Sequence, residues 1–264
     1  MTTLVCLHAH PDDECISTGG TMMMAAEAGH EVVLIVATRG EQGEPAAGVL
    51  APGEMLGHRR EIEVRRSAEI LGVSRIEFLP YEDSGMIGEA ANDNPACFWQ
   101  ADLEVAAGQV AQILRSVGNP DDVVLTIYDS HGGYGHPDHI QVHRVGTRAA
   151  QLAGVTAVYE ATMNRTEILE QMENSEMAQT MEDEDRQRIS TQEFGTVAEH
   201  ITHRIDVARF TDRKRQAMVA HESQITEDSF FLQLPPEAFH QAFGSEWFIE
   251  SGQTRDGDFK TALF

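Results

Sequence analysis

The start of the chain alternates between apolar runs and a helical pattern, and this alternation constrains the fold more than any other feature. The segment from Thr3 to His8 is short and mostly apolar. The segment from Thr21 to Ala28 is typical of a helix that ends at Gly29, and a second apolar run rich in Val and Ile extends from Glu31 to Thr38. A strand, a helix and a strand in this order predict a βαβ unit with two parallel strands.

Further strand-like apolar runs and helical patterns follow along the chain. Helices are predicted over 59–71, 102–117 and 140–154, and strands over 75–80, 122–128 and 156–161. The sequence therefore predicts an α/β fold: a mainly parallel, Rossmann-like sheet with helices on both faces. In such a sheet the ligand site lies beyond the carboxyl ends of the strands.

The sequence becomes more polar and acidic after Arg165. We expect residues 1–165 to form the α/β catalytic core, and residues 166–264 to be an insert and a C-terminal region that pack on the same domain. The polar, acidic segment 166–196 suits a surface helix, a lid or a partly disordered stretch. A strand over 202–207, a helix over 211–223 and an aromatic-rich tail over 230–264 are predicted beyond it.

Composition excludes several classes of partner. The formal net charge of -24 argues against binding to nucleic acid or to an anionic membrane surface, since both need a basic face. No apolar run is long enough to span a membrane, and no secretory leader is visible at Met1. The three cysteines lack any CxxC spacing and predict no disulfide framework, so a cytoplasmic location is expected. A homo-oligomer is left open.

Two polar clusters, His10 to Glu14 and His136 to His139, each follow a predicted strand. A catalytic zinc ion takes about three protein ligands, commonly His and carboxylate, and keeps one position open for water or substrate. Either cluster alone could be a turn in which Pro fixes the backbone and Asp caps a helix. Two such clusters at strand ends that a parallel sheet brings together favour a metal site.

A metal site of this kind would support hydrolysis. A bound metal lowers the pKa of water from about 15.7 to near 7 in favourable sites. The neighbours Asp12 and Asp13 point in different directions, so one can bind the metal while the other takes a proton from the attacking water. The spacing does not say which of the two has which role.

The same motifs resemble those of a known superfamily. Four segments carry the likeness: Ala9 to Glu14, Thr38 to Glu41, the predicted helix from Arg60 to Gly72, and Gly133 to His139. In these segments the chain resembles the LmbE-like, or PIG-L-like, zinc-dependent de-N-acetylases. That superfamily acts on N-acetylglucosamine conjugates. The likeness covers residues 3 to about 162 and continues more weakly to residues 214–224.

Within the superfamily, the chain looks most similar to the mycothiol branch. That branch holds the deacetylase that makes the glucosaminyl-inositol intermediate and the amidase that cleaves mycothiol S-conjugates. The segments that carry this likeness are 83–86, 98–102 and 128–134. Phe98 and Trp99 favour the amidase, whereas Tyr134 and His136 favour the deacetylase.

The resemblance implies a role for each residue of the two clusters. His10, Asp13 and His139 would bind zinc, although a site with two histidines and one carboxylate also suits ferrous iron or cobalt. Asp12 would be the general base. His136 would stabilise the oxyanion or act as an acid, with Asp138 orienting it; Asp138 could instead only cap the next helix.

The resemblance also implies residues that surround the reacting group. Tyr134 would be a mobile phenol near the carbonyl, or would merely pack. Arg60 and Asp83 would hold sugar or inositol hydroxyls, and Glu41 would line the pocket. Arg60 could instead be an ordinary helix-surface arginine, and Asp83 a simple turn former. His221 would reach the rim of the pocket.

The sequence thus predicts a metal-dependent hydrolase that cleaves an amide on a glucosamine-containing small molecule. The substrate would be N-acetylglucosaminyl-inositol or a mycothiol S-conjugate, or else another amino sugar or an antibiotic glycoside. A sugar-binding homologue without turnover is the alternative from another class, but the intact Asp12 and His136 argue against it. A nucleotide-binding protein is disfavoured because neither GxGxxG nor a Walker A motif occurs.

Overall fold

A single seven-stranded sheet organises the chain in the computed structural model, which describes residues 1–173 and 194–264. The strands are β1 (Thr3–His8), β2 (Glu31–Val36), β3 (Arg75–Phe78), β4 (Val123–Tyr128), β5 (Ala157–Thr162), β6 (His203–Asp206) and β7 (Ser245–Glu250). They lie in the order β3-β2-β1-β4-β5-β7-β6. The first five strands pair in parallel, and β7 pairs antiparallel with both β5 and β6. The predicted α/β class and mainly parallel sheet are confirmed.

Helices cover both faces of this sheet. They are α1 (Asp13–Ser17), α2 (Gly19–Glu27), α3 (Leu56–Leu71), α4 (Leu103–Ser116), α5 (Gly132–Gly135), α6 (Pro137–Ala153), α7 (Arg165–Glu173), α8 (Thr211–Val219), α9 (Phe230–Gln233) and α10 (Pro236–Phe243). Alternate residues of β1 enter different cores: Leu4 packs in the core with α2, α3 and α8, and Val5 packs in the core with α4 and α6. A strand buried on both faces is apolar throughout, which is the pattern seen at the start of the sequence.

The order of the strands places a crevice beside β1. The chain moves outward from β1 through β2 to β3, and then returns to β4 and moves outward the other way to β5. Ligand sites in open α/β sheets lie at such a reversal, beyond the carboxyl ends of the strands. The first cluster follows β1 and the second follows β4, so the topology brings the two together.

Several boundaries differ from those predicted. The helix expected to begin at Ile140 begins at Pro137, because proline suits the first position of a helix and the ring of His136 accepts the N–H of Asp138. The helix expected from Arg59 begins at Leu56. Strand β7 was not predicted separately from the tail. Of the segment 166–196, residues 174–193 lie outside the described residues.

The C-terminal region is attached to the same sheet through β6 and β7. A buried ion pair reinforces this attachment: Lys214 Nζ lies 2.6 Å from Glu246 Oε1, and Glu246 also accepts the N–H groups of Gly20 and Thr21. The carboxylate therefore satisfies free donors at the start of α2. None of the described helices is long and apolar enough to cross a membrane.

The close approach of α2 to the C-terminal region gives a test of the packing. A Cβ added at Gly20 would lie 2.3 Å from Val207 Cβ, so we expect Gly20→Ala to lower the free energy of unfolding by about 1–3 kcal/mol. Gly108 lies in α4 with no neighbouring atom within 4 Å of an added Cβ. The matched Gly108→Ala variant should gain about 0.5–1 kcal/mol, measured by urea unfolding. Equal stability of both variants would contradict this packing.

Candidate active site

The first cluster follows the buried end of β1, which hydrogen bonds hold in place. His8, the last residue of β1, contacts Tyr128 Oη at 2.7 Å and Thr18 Oγ1 at 2.8 Å through its two ring nitrogens. Burial lowers the pKa of His8 to about 4, so this ring is neutral at neutral pH. It therefore ties the ends of β1 and β4 together beneath the site without adding a charge.

The carboxylate of Asp13 lies close to two histidines, one from each cluster. Asp13 Oδ2 lies 3.4 Å from His10 Nδ1 and 3.4 Å from His139 Nε2. All three residues are buried. Two imidazole nitrogens and one carboxylate oxygen at such distances are a donor set that suits a divalent metal ion. The structure thus brings together the three residues predicted as metal ligands.

His136 lies close enough to enter the same group. Its ring centroid is 4.6 Å from that of His10, and a nitrogen from each of His10, His136 and His139 lies within 4.8 Å of the others. A second group of possible ligands combines His10 with Asp83 and Asp138. Both of these groups share His10, which marks this crevice as a candidate metal centre.

Asp138 supports His10 rather than the ring it was expected to orient. Its carboxylate lies 3.2 Å from His10 Nε2 and accepts hydrogen bonds from the N–H and the hydroxyl of Ser84. The contact with His136 runs through the backbone, where the N–H of Asp138 donates to His136 Nδ1 at 3.1 Å. A carboxylate on the far nitrogen of a metal-binding histidine fixes its ring and raises its basicity.

His136 is held as a neutral donor. Because Nδ1 accepts the backbone N–H of Asp138, the hydrogen of the neutral ring resides on Nε2. Burial, together with the nearby His10 and His139, lowers the pKa of His136 to about 3. A neutral N–H can stabilise a developing oxyanion but holds no extra proton to give away. Of the two roles left open for His136, this electrostatic environment favours oxyanion stabilisation.

Asp12 stands apart from the donor set although it adjoins Asp13. Its carboxylate faces Arg60, with Nη2 3.1 Å from Oδ2, and it retains 19% of its side-chain exposure. Burial raises the pKa of Asp12 to about 6, against the lowering effect of Arg60. A carboxylate with a pKa near neutrality beside a candidate metal is suited to accept a proton from water. The geometry therefore separates the two aspartates, which the sequence could not.

Tyr134 lies in α5, a glycine-rich helical turn that ends just before the second cluster. Its hydroxyl is 3.5 Å from His139 Nε2, and burial raises its pKa. The turn is fixed by Asp129, which accepts the N–H of Gly133 at 2.7 Å, and Gly133 has a φ of 73° that favours glycine. The phenol is thus placed against the candidate metal centre.

The three predicted substrate contacts lie near Asp12 and His10. Arg60 is 4% exposed and donates to the carbonyl groups of Pro11 and Gly40 as well as to Asp12. It is therefore not an ordinary helix-surface arginine. Asp83 lies 3.4 Å from His10 Nε2 and also accepts the N–H of Gly85, as a turn former would. Glu41 accepts the N–H of Asp83 at 3.0 Å. Sugar binding by these residues stays a prediction.

Several residues of the site were not predicted. The ring of Tyr128 stacks on His139 with centroids 4.3 Å apart, and Ser84 holds Asp138. His221 is fully buried against Glu14 instead of reaching the pocket rim, because the C-terminal region folds over α1. Tyr128 is the last residue of β4, and that position is the signal that could have identified it.

The raised pKa of Asp12 predicts an acid limb in the rate profile. A general base acts in its deprotonated form, so kcat should fall about tenfold per pH unit below about pH 6. The measurement is kcat from pH 4.5 to 8, with the metal content determined at each pH so that metal loss is not mistaken for titration. Replacing Arg60 by Gln removes the cation that lowers this pKa and should move the limb to higher pH. A flat profile across this range would contradict the assignment.

The fold recurs in solved structures. A conserved protein from Thermus thermophilus superposes with a TM-score of 0.61 at 19% identity, covering 99% of this chain and 100% of that one. The N,N'-diacetylchitobiose deacetylase from Pyrococcus horikoshii gives a TM-score of 0.60 at 21% identity, covering 94% of this chain and 82% of that one. At these identities the likeness establishes the α/β fold alone.

The sequence comparisons define the family. Residues 5–150 match the family model described as PIG-L, GlcNAc-PI de-N-acetylase. A protein of Acidothermus cellulolyticus, named 1D-myo-inositol 2-acetamido-2-deoxy-alpha-D-glucopyranoside deacetylase, is 41% identical over 94% of this chain and 88% of its own length. The chain therefore belongs to the PIG-L family, and the predicted resemblance is confirmed.

Proposed function

We propose that this protein is a metal-dependent deacetylase that hydrolyses the acetamido group of an N-acetylglucosaminyl-inositol and releases acetate and the free amine. The observation that carries the proposal is the Asp12 carboxylate, which pairs with Arg60 and stands apart from the neighbouring group of His10, Asp13 and His139. The 41% identical relative bears the name of this activity. Zinc is the proposed metal, with ferrous iron or cobalt as chemically suitable substitutes.

His10, Asp13 and His139 would hold the metal. When bound, it would supply a Lewis acid and lower the pKa of a water molecule. Asp12 takes a proton from the attacking water, and the N–H of His136 and the hydroxyl of Tyr134 can donate to the oxygen of the tetrahedral intermediate. The C–N bond then breaks, and the proton held by Asp12 passes to the leaving amine.

The proposed substrate contacts lie next to the candidate metal centre. We propose that Arg60, Asp83 and Glu41 bind hydroxyl groups of the sugar or inositol ring, because Arg60 pairs with Asp12, Asp83 lies 3.4 Å from His10 and Glu41 accepts the N–H of Asp83. The three cysteines are free and buried, which supports our proposal of a reducing, cytoplasmic setting. The partner is a small amino-sugar conjugate.

A substrate panel tests the proposed function. The zinc-loaded protein would be given N-acetylglucosaminyl-inositol, a mycothiol S-conjugate and free N-acetylglucosamine, and amine release would be measured for each. The proposal predicts the highest kcat/KM for the inositol conjugate and loss of activity with a chelator. Preferential cleavage of the S-conjugate would instead assign the amidase activity, and no release from any of the three would refute the proposal.

A further inference from the structure

A buried acid–base pair lies directly behind the proposed general base. Glu14 belongs to α1 and His221 follows α8, more than two hundred residues later in the chain. Glu14 Oε1 lies 2.7 Å from His221 Nε2, and both side chains are 0% exposed. The proposed chemistry uses neither residue, so their burial needs an explanation.

The other oxygen of Glu14 is bound to the backbone of Asp12. The N–H of Asp12 donates to Glu14 Oε2 at 2.9 Å. Asp12 has a φ of 97° and is the one non-glycine residue in the left-handed region among residues 1–173 and 194–264. This conformation is strained for an aspartate and persists only where surrounding contacts enforce it. The bond from Glu14 is a contact of that kind.

Glu14 is itself held from two further sides. Ser67 of α3 donates its hydroxyl to Glu14 Oε1 at 2.5 Å, in addition to the contact from His221. A buried carboxylate is costly unless it is paired and hydrogen-bonded, and both requirements are met here. Two segments distant in sequence therefore hold the side chain of Glu14, and that side chain in turn binds the N–H of Asp12.

We infer that Glu14, supported by His221 and Ser67, is a positioning residue that holds Asp12 in the orientation needed for proton transfer. The inference rests on the proposed function, in which Asp12 is the base. A metal site is an alternative role for these residues, since Glu14, Cys15 and His221 have ligand atoms within 4.8 Å of one another. Both oxygens of Glu14 already accept hydrogen bonds, however, and Cys15 Sγ donates to the backbone carbonyl of Asp12 at 3.0 Å.

The support for Glu14 extends beyond the residues that match the family model. The family model matches residues 5–150, which include Glu14 and Ser67 but not His221. Because His221 supports Glu14, the C-terminal region completes the environment of Asp12 in addition to extending the sheet.

The decisive variant is Glu14→Gln, which keeps the shape of the side chain and removes its charge. We expect kcat for the inositol conjugate to fall about 100-fold, with KM and metal content unchanged, because a small misplacement of a catalytic group costs this much. Glu246→Gln is the matched control, since Glu246 also forms a buried ion pair, 2.6 Å from Lys214. It should lower the thermal midpoint as much as Glu14→Gln does and leave kcat within about twofold of the wild type.

A second readout does not depend on activity. In Glu14→Gln, the amide proton of Asp12 should move upfield in an NMR spectrum, and a crystal structure should show its φ relaxed toward negative values. Wild-type kcat together with an unchanged Asp12 conformation would overturn the inference. If the wild-type protein releases no amine, the proposed function fails, and the Asp12 amide still decides the positioning contact. Should Glu14→Gln not fold, Ser67→Ala and His221→Gln are measured by the same two readouts.

Discussion

Replacement of Asp12 by Asn is expected to lower kcat by about 10²- to 10⁴-fold while the protein keeps its metal. Asparagine has nearly the same size and can still accept a hydrogen bond from Arg60, which lies 3.1 Å from the carboxylate. It cannot take a proton from water, so the loss reports the base alone. The measurements are kcat for amine release and metal content by elemental analysis of the same preparation.

A matched control for this variant is Asp102→Asn. Asp102 caps α4 by accepting the N–H of Val105, and asparagine caps a helix about equally well. This control should retain wild-type kcat and wild-type metal content. If Asp12→Asn lost metal and activity together, Asp12 would be a ligand and the division of roles between Asp12 and Asp13 would be incorrect.

Replacement of His139 by Ala is expected to remove the metal itself. His139 is 3% exposed, lies 3.4 Å from Asp13 and is stacked on Tyr128, so the Ala variant loses one of the three proposed donors and leaves a gap beside Tyr128. We expect the metal content to fall from about one per chain to near zero after dialysis, with loss of turnover. Elemental analysis of the dialysed protein measures this directly.

His143 and His136 provide the controls for this second experiment. His143 lies one turn further along α6 and contacts the backbone carbonyl of Tyr128 at 3.0 Å, so His143→Ala should keep the metal. His136→Ala should also keep the metal but lose kcat, since we assign it to the oxyanion. Retention of a full metal complement by His139→Ala, or loss of metal by His136→Ala, would show that the ligand set was assigned incorrectly.

The strands and their carboxyl-terminal clusters could be predicted because both depend on local patterns. A strand buried on both faces, such as β1, is a short apolar run, and the residues that follow it must lie at one edge of a parallel sheet. The convergence of His10 and His139 follows from these two facts. Strand β7 was missed because its two buried positions are Glu246 and Phe248, so its sequence shows no apolar and polar alternation.

The separate roles of the residues in the site depend on contacts that no local sequence pattern reveals. Asp12 and Asp13 are adjacent in sequence, yet Asp12, with a φ of 97°, pairs with Arg60, whereas Asp13 contacts His10 and His139. The neutral tautomer of His136 follows from one backbone hydrogen bond. The pairing of Glu14 with His221 joins two ends of the chain, and its signal in the sequence is a single histidine among twelve.

Anomalous diffraction at the zinc edge from a zinc-soaked crystal tests the central claim most directly, because it places the metal among competing donor groups. We expect one strong peak about 2.0–2.2 Å from a nitrogen of His10, a nitrogen of His139 and an oxygen of Asp13, with the Asp12 carboxylate not bound to the metal. A peak bound to Glu14, Cys15 and His221, or one that takes Asp12 as a ligand, would contradict it.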